Sequence, residues 1–269
     1  MEKLIYVLLI LLCGCMPKIK HDNYAKAIQA AGMTPVKINA DGFVLTSYQR
    51  IKSVDSDIRI YIEGDGFAWV NRTEPSSDPT PRHAVGLSLA LADLSPNVVY
   101  LARPCQYSLA QSPRCNPTYW TDKRFSEEVI EAMSHAVDRI MLNAPGKKAE
   151  LIGYSGGAAV AVLLAARRSD IENLRTVAGN LDHEAVNRIH RVSQMPDSLN
   201  PIDVAYLLKG LPQVHFCGLK DQVVPTDITR EFALQVGPCS KLIELPDLTH
   251  EAGWTNAWPH LLKITPRCY

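Results

Sequence analysis

Residues 150–168 read ELIGYSGGAAVAVLLAARR: a short apolar run, a serine set among glycines, then a run built mainly of alanine, valine and leucine. The first run suits a buried strand, and the second suits a helix with no polar face. Between them the chain reverses within Gly153-Tyr154-Ser155-Gly156-Gly157. So tight a turn holds its central residue in strained backbone, and glycines two before and two after it let strand and helix approach. The same turn exposes the serine hydroxyl and sets the partial positive charge of a helix N-terminus beside it. GxSxG arises by chance in roughly one chain of this size in twenty, so the pattern alone decides little. Its place between strand and helix singles out Ser155 as a nucleophile and the Gly156 N–H as a donor to a developing oxyanion; the competing interpretation is a tight packing turn.

A serine needs a base, and the base needs an orienting carboxylate. Other stretches tell where to look. Apolar segments near residues 43–48, 58–62, 98–101, 175–178, 213–216 and 241–245 have strand character, and helical spacing marks residues 24–31, 83–93, 125–143 and 251–264. Strands alternating with helices predict an α/β chain with a mostly parallel central sheet covered on both faces, the initial hairpin being free to run antiparallel. Such sheets place working residues at the carboxyl ends of their strands. Asp221 follows the strand QVHFCG, and His250 follows KLIEL. Among the eight histidines, His183 follows another strand and is a candidate pocket residue, whereas His215 lies inside a strand. Asp182, Asp203 and Asp247 compete with Asp221. The composition is globular, with 46% hydrophobic and 21% charged residues. Basic and acidic residues balance at 28 each with no polybasic tract, which gives a nucleic-acid partner no electrostatic footprint.

From about residue 40 to the end the chain resembles an α/β-hydrolase. The elbow, the segment Asp221-Gln222-Val223-Val224-Pro225 and the late His250 before a helix carry the resemblance, as does the order Ser, Asp, His. It implies Ser155 as nucleophile, His250 as general base and then acid, and Asp221 as the group that holds the imidazole. It also implies a second oxyanion donor after an early strand, in IYIEGDGF. Many relatives have His-Gly where this chain has Glu63-Gly64, and by register the donor is the N–H of Asp65, beside that of Gly156. A bare carboxylate there would oppose an oxyanion, so Glu63 and Asp65 must turn away or pair with a cation, with Arg72, Arg82, Arg103 and Arg124 as candidates. The implied activity is hydrolysis of a small acyl ester, thioester or lipid-like substrate without metal or organic cofactor. Acyl transfer by the same residues and a non-catalytic binding scaffold are the alternatives. Insertions near residues 67–82, 103–123 and 180–210 would overhang the strand ends, with Trp69, Tyr107, Tyr119 and Trp120 either walling a pocket or packing the loops down.

The N-terminus stands apart. Residues 4–12 are wholly apolar after Lys3. As a helix they would reach roughly 14 Å at about 1.5 Å per residue, short of a hydrocarbon core near 30 Å, which points to a secretory segment. The sequence Leu12-Cys13-Gly14-Cys15 resembles a bacterial lipobox. That resemblance implies a signal peptide at residues 1–14, lipidation of Cys15, a tether with a short helix at 15–36 and the hydrolase domain at 37–269. Met16 is not the aspartate that retains such products at the inner membrane, so the implied site is the outer membrane, facing the periplasm. Each acyl CH₂ contributes about 0.8 kcal/mol to such an anchor. Export makes the other five cysteines interpretable. Cys105 and Cys115 enclose a polar loop and are expected to pair in an oxidising compartment. Cys239 and Cys268 are a second candidate pair, and Cys217 reads as a buried thiol. No CxxC pair is present to support a structural zinc site.

Overall fold

Strands that are apolar on both sides need cover on both faces, and the computed structural model, which describes residues 22–268, shows where that cover comes from. The expectations for residues 1–14 and for Cys15 lie outside the described residues. The order is α1 (Asp22–Ala30), β1 (Thr34–Ala40), β2 (Phe43–Ile51), β3 (Ile58–Ile62), α2 (Val85–Ala92), β4 (Asn97–Leu101), α3 (Glu127–Met141), β5 (Ala149–Tyr154), α4 (Gly156–Ala165), β6 (Ile171–Val177), α5 (His183–His190), β7 (Gln213–Gly218), α6 (Thr226–Val236), β8 (Ser240–Leu245) and α7 (Trp254–Leu261). The eight strands form one sheet in the order β1-β2-β4-β3-β5-β6-β7-β8. β1–β2 and β2–β4 pair antiparallel, and every pairing from β4 to β8 is parallel.

Alternation along each strand assigns its residues to opposite faces. Ile58, Ile60 and Ile62 of β3 join Val99, Leu101 and Leu151 in a core with α3, α4 and α6, while Tyr61, Tyr100, Ile152, Tyr154 and Phe216 face α2 and α7, where Trp254 and Trp258 are fully buried. Burying one such aliphatic or aromatic side chain stabilises by about 1.5–3 kcal/mol. Every residue of α4 is buried, as a helix apolar on all sides requires.

The architecture departs from expectation in three respects. β1 begins at Thr34, inside the stretch read as tether, and Ile28 and Met33 before it are already buried against the α2 face. β2 and β3 are not a hairpin, because β4 lies between them. The Asn97 side chain fixes that arrangement: its Oδ1 accepts from the Lys52 and Ser53 N–H groups at 3.0 Å, and its Nδ2 donates to the Ser53 and Ser56 carbonyls. α5 and α6 also form where no helix is expected from the residues. In α6, Ile228, Phe232 and Val236 provide a buried i, i+4, i+8 stripe.

Residues 67–82, 103–123 and 180–210 leave the carboxyl ends of β3, β4 and β6 respectively. Disulfides join Cys105 to Cys115 and Cys239 to Cys268. Cys217 is a free buried thiol whose pKa burial pushes up to about 11. Among the described residues no helix is long and apolar enough to cross a membrane.

Candidate active site

Ser155 sits between β5 and α4 with φ 51° and ψ −120°, a backbone position that non-glycine residues adopt only under strain. The surrounding contacts over-determine it. A Cβ at Gly153 would stand 2.4 Å from Ala158 Cα, and one at Gly157 would stand 2.3 Å from the Ile62 carbonyl oxygen and 2.4 Å from that of Glu63. The Ser155 N–H donates to Val177 O (2.9 Å), and its carbonyl accepts from Ala158 and Asn180 N–H. The elbow is thus pinned to β3 on one side and to β6 on the other.

The loops after β7 and β8 bring the two distant side chains in. Asp221 Oδ1 accepts from the N–H groups of Val223 (2.8 Å) and Val224 (2.9 Å), which fixes the carboxylate and explains the segment in which it lies. Its Oδ2 is 2.8 Å from His250 Nδ1, and His250 Nε2 is 2.9 Å from Ser155 Oγ. The carboxylate favours the tautomer protonated at Nδ1, which leaves Nε2 to accept the serine hydroxyl proton. Both side chains are shielded, Asp221 at 1% and His250 at 12% exposure. The His250 carbonyl is itself held, by Trp254 Nε1–H (3.0 Å) and Tyr154 Oη–H (3.2 Å). The competing acids lie elsewhere: Asp182 caps α5 and accepts from Asn200, and Asp247 pairs with Lys220 at the surface. His183 is not a pocket residue; it is buried beside Phe125, which holds its pKa below the ordinary value through desolvation.

The glycine turn after β3 faces the elbow, and its two acids part company. Glu63 turns away. Its carboxylate, 1% exposed, accepts from the N–H groups of Gly64, Gly86 and Leu87 and so satisfies free donors at the start of α2. Burial raises its pKa while those N–H groups pull it down. Asp65 stays at the site and pairs with two of the four candidate cations, Arg103 at 3.2 Å and Arg124 at 2.9 Å. Neither the Asp65 nor the Gly156 N–H donates to another described residue. Arg72 instead ties residues 67–82 to the end of α5 through the His190 and Arg191 carbonyls. Arg82 lies over the Phe67 ring at 3.5 Å.

These groups open onto a cleft of about 420 Å³ lined by Ser155, His250, Asp65, Phe67, Trp69 and Arg82 among others. A second cavity of about 790 Å³, between residues 69–72 and 187–197, shares Trp69 and Arg124 with it. Of the aromatic residues expected to wall a pocket, only Trp69 reaches the cleft. Trp120 donates to Ser76 O and Tyr119 packs on Phe43, so both hold loops down. Tyr107 lines a separate hollow beside α1. Sequence reasoning missed Gln106 altogether. Its carboxamide donates to Gly64 O (2.9 Å) and accepts from the Arg103 N–H (3.0 Å), and nothing in the residue type or spacing marks it.

No protein-family model matches the chain, and a search of curated proteins finds no match. Solved structures do resemble it. Est1E from Butyrivibrio proteoclasticus aligns over 85% of this chain and 97% of its own at 14% identity, with a TM-score of 0.59; it has also been solved with ferulic acid bound. The Pyrococcus furiosus esterase Pf2001 aligns over 87% and 88% at 15% identity, TM-score 0.62. XC6422 from Xanthomonas campestris, described as an α/β serine hydrolase without lid, aligns over 87% and 97% at 14% identity, TM-score 0.55. The chain therefore has the α/β-hydrolase fold.

Proposed function

We propose that this protein is a serine hydrolase that cleaves a small carboxylic ester or thioester through an acyl-enzyme on Ser155. The observation that carries the proposal is the His250 imidazole, with one ring nitrogen 2.8 Å from Asp221 and the other 2.9 Å from Ser155. His250 Nε2 takes the hydroxyl proton as Ser155 Oγ bonds to the carbonyl carbon. The negative charge that moves onto the carbonyl oxygen is received by the N–H groups of Asp65 and Gly156, and such donors are worth about 2.7–4 kcal/mol each. Collapse expels the alcohol or thiol, which leaves with the proton from His250 Nε2. Water then attacks the acyl-enzyme, gives its proton to the same nitrogen, and Ser155 is restored as the acid departs. The esterase neighbours and the cleft of about 420 Å³ favour a small ester over a polymer.

The same proposal places the protein in the bacterial envelope, tethered by lipid at Cys15 to the outer membrane. Support comes from the apolar residues 4–12 ahead of that cysteine and from two disulfides, which persist in oxidising compartments.

A serine-reactive fluorophosphonate is expected to label the wild type and not Ser155→Ala. That variant should lose activity on short-chain acyl esters by about 10⁴–10⁶-fold while melting as the wild type does. An unlabelled wild type, together with a Ser155→Ala variant of equal activity, would overturn the reading. For the anchor, full-length protein should partition into detergent and incorporate labelled palmitate, and Cys15→Ser should do neither.

A further inference from the structure

We infer that Arg103 and Arg124 are positioning residues: they hold the Asp65 side chain so that the Asp65 N–H faces Ser155, and their two charges outweigh that of its carboxylate. The inference rests on the hydrolase reading above and concerns residues that reading does not use.

The geometry is specific. Asp65 Oδ1 accepts from Arg103 Nη1 and Oδ2 from Arg124 Nη1, so each oxygen has its own guanidinium. The two arginines are linked to each other, because Arg103 Nη2 donates to the Arg124 carbonyl. Both guanidinium groups also lie near the Phe125 ring, at 5.2 and 5.7 Å from its centroid. The carboxylate presses on the elbow itself: a Cβ at Gly156 would stand 1.9 Å from Asp65 Oδ1. A Cβ at residue 156 would therefore have to push the Asp65 carboxylate off its two arginines. On its other side the turn is braced by Gly66, at φ 69°, where a Cβ would stand 2.1 Å from the Pro79 carbonyl oxygen.

Charge makes the clamp matter for chemistry. A carboxylate in contact with the oxyanion donors raises the energy of a second negative charge forming beside it. One guanidinium neutralises it; two leave a surplus positive charge that favours the oxyanion. A purely structural role explains this cluster poorly. Arg103 is 4% exposed and Asp65 is mostly covered, and burying charged groups is seldom a net gain in stability over apolar packing.

The test compares steady-state kinetics of Arg124→Gln, Asp65→Asn and the double variant on one acyl ester, with melting curves for each. Arg124→Gln removes the surplus positive charge and one of the two anchors of the carboxylate, and should lower kcat by about 100-fold with KM nearly unchanged, the size of losing one oxyanion donor. Asp65→Asn should lower kcat by about 10-fold, because a carboxamide accepts less well from two guanidinium groups. The double variant should be faster than Arg124→Gln alone, since it removes the carboxylate and leaves the Arg103 charge in surplus. A structural ion pair would not give that recovery. Wild-type kcat in a folded Arg124→Gln, or a double variant slower than Arg124→Gln, overturns the proposal. Should Arg124→Gln not fold, Asp65→Asn decides: an unchanged kcat with an unchanged melting temperature overturns the clamp, and a reduced kcat at constant KM supports it. Ser155→Ala separates the two levels. If it stays active the hydrolase reading fails; if it is inactive while the clamp variants keep full rate, only the clamp fails.

Discussion

The two turns that meet at Ser155 are stabilised in different ways. The elbow at residues 153–157 is shaped by backbone packing. Gly153 and Gly157 lie against main-chain atoms of Ala158, Ile62 and Glu63, and the strained Ser155 needs no side-chain partner to stay in place. The turn at residues 63–66 is shaped by side chains reaching across the fold. Glu63 binds N–H groups of α2, Asp65 binds Arg103 and Arg124, and the Gly64 carbonyl is held by Gln106. One half of the site is therefore held by main-chain contacts of one five-residue turn, and the other by side chains from segments up to 59 positions apart. The first should be intolerant of any added atom. The second should respond in degrees to the loss of each partner.

The largest effect should come where the two turns touch. In Gly157→Ala the new methyl group would overlap the Ile62 and Glu63 carbonyls, which are backbone and have no rotamer by which to yield. Overpacking of this kind destabilises by about 1–3 kcal/mol. Because it also separates the Ser155 hydroxyl from the opposing N–H by a fraction of an ångström or more, kcat/KM should fall by about 100-fold. Urea unfolding and ester hydrolysis measure the two losses separately. A Gly157→Ala protein as stable and active as the wild type would show that the turns are not in contact.

That contrast also explains what could be read from the residues alone. The elbow was legible because its chemistry is local: a strand, a five-residue turn and an apolar helix are contiguous. Asp221 and His250 followed from one topological rule, that working groups lie past strand ends, and their place beside Ser155 agrees with it. The partners of Asp65 were not legible beyond a set of four arginines, because sequence separation carries no information on which loop folds over which strand. The missed elements have similar causes. β1 is an edge strand whose Thr34, Lys37 and Asn39 interrupt any apolar run, and it is recognised only by its register against β2. α6 begins directly after Pro225, so the site segment and the helix start merge into one irregular stretch.

A smaller effect, confined to the turn held from a distance, is expected from Cys105→Ser/Cys115→Ser. The disulfide closes the loop that carries Gln106, and Arg103 precedes it by two residues. Losing a cross-link of this loop length should reduce stability by about 2–3 kcal/mol. The comparison predicts more than lost stability. Esterase activity of the variant should decline at urea concentrations below its global unfolding midpoint, since the strap can loosen while the sheet stays intact. Coincident loss of activity and fold would mean that the two turns are supported as one unit.

The smallest effect separates both turns from the sheet beneath them. His215 in β7 is fully buried, its Nδ1 2.8 Å from Thr176 Oγ1 of β6 and its ring edge-on to Phe232. Burial pushes its pKa down to about 3, against about 6.5 in an unfolded chain. Between those values the unfolded state binds the proton and the folded state does not, so the stability contribution is complete above pH 6.5 and is lost as pH falls toward 3. At pH 5 the loss should be on the order of 1–2 kcal/mol. His215→Phe should flatten the dependence of the urea midpoint on pH between 6.5 and 5, with a residual slope from His183, whose pKa is lowered by burial in the same direction. Neither side chain touches Ser155, His250 or Asp65, so the acid limb of the activity profile in the folded protein should be the same in His215→Phe as in the wild type. A changed acid limb would mean that β6 and β7 transmit the protonation of His215 to the elbow, and that the turn described as self-sufficient is not.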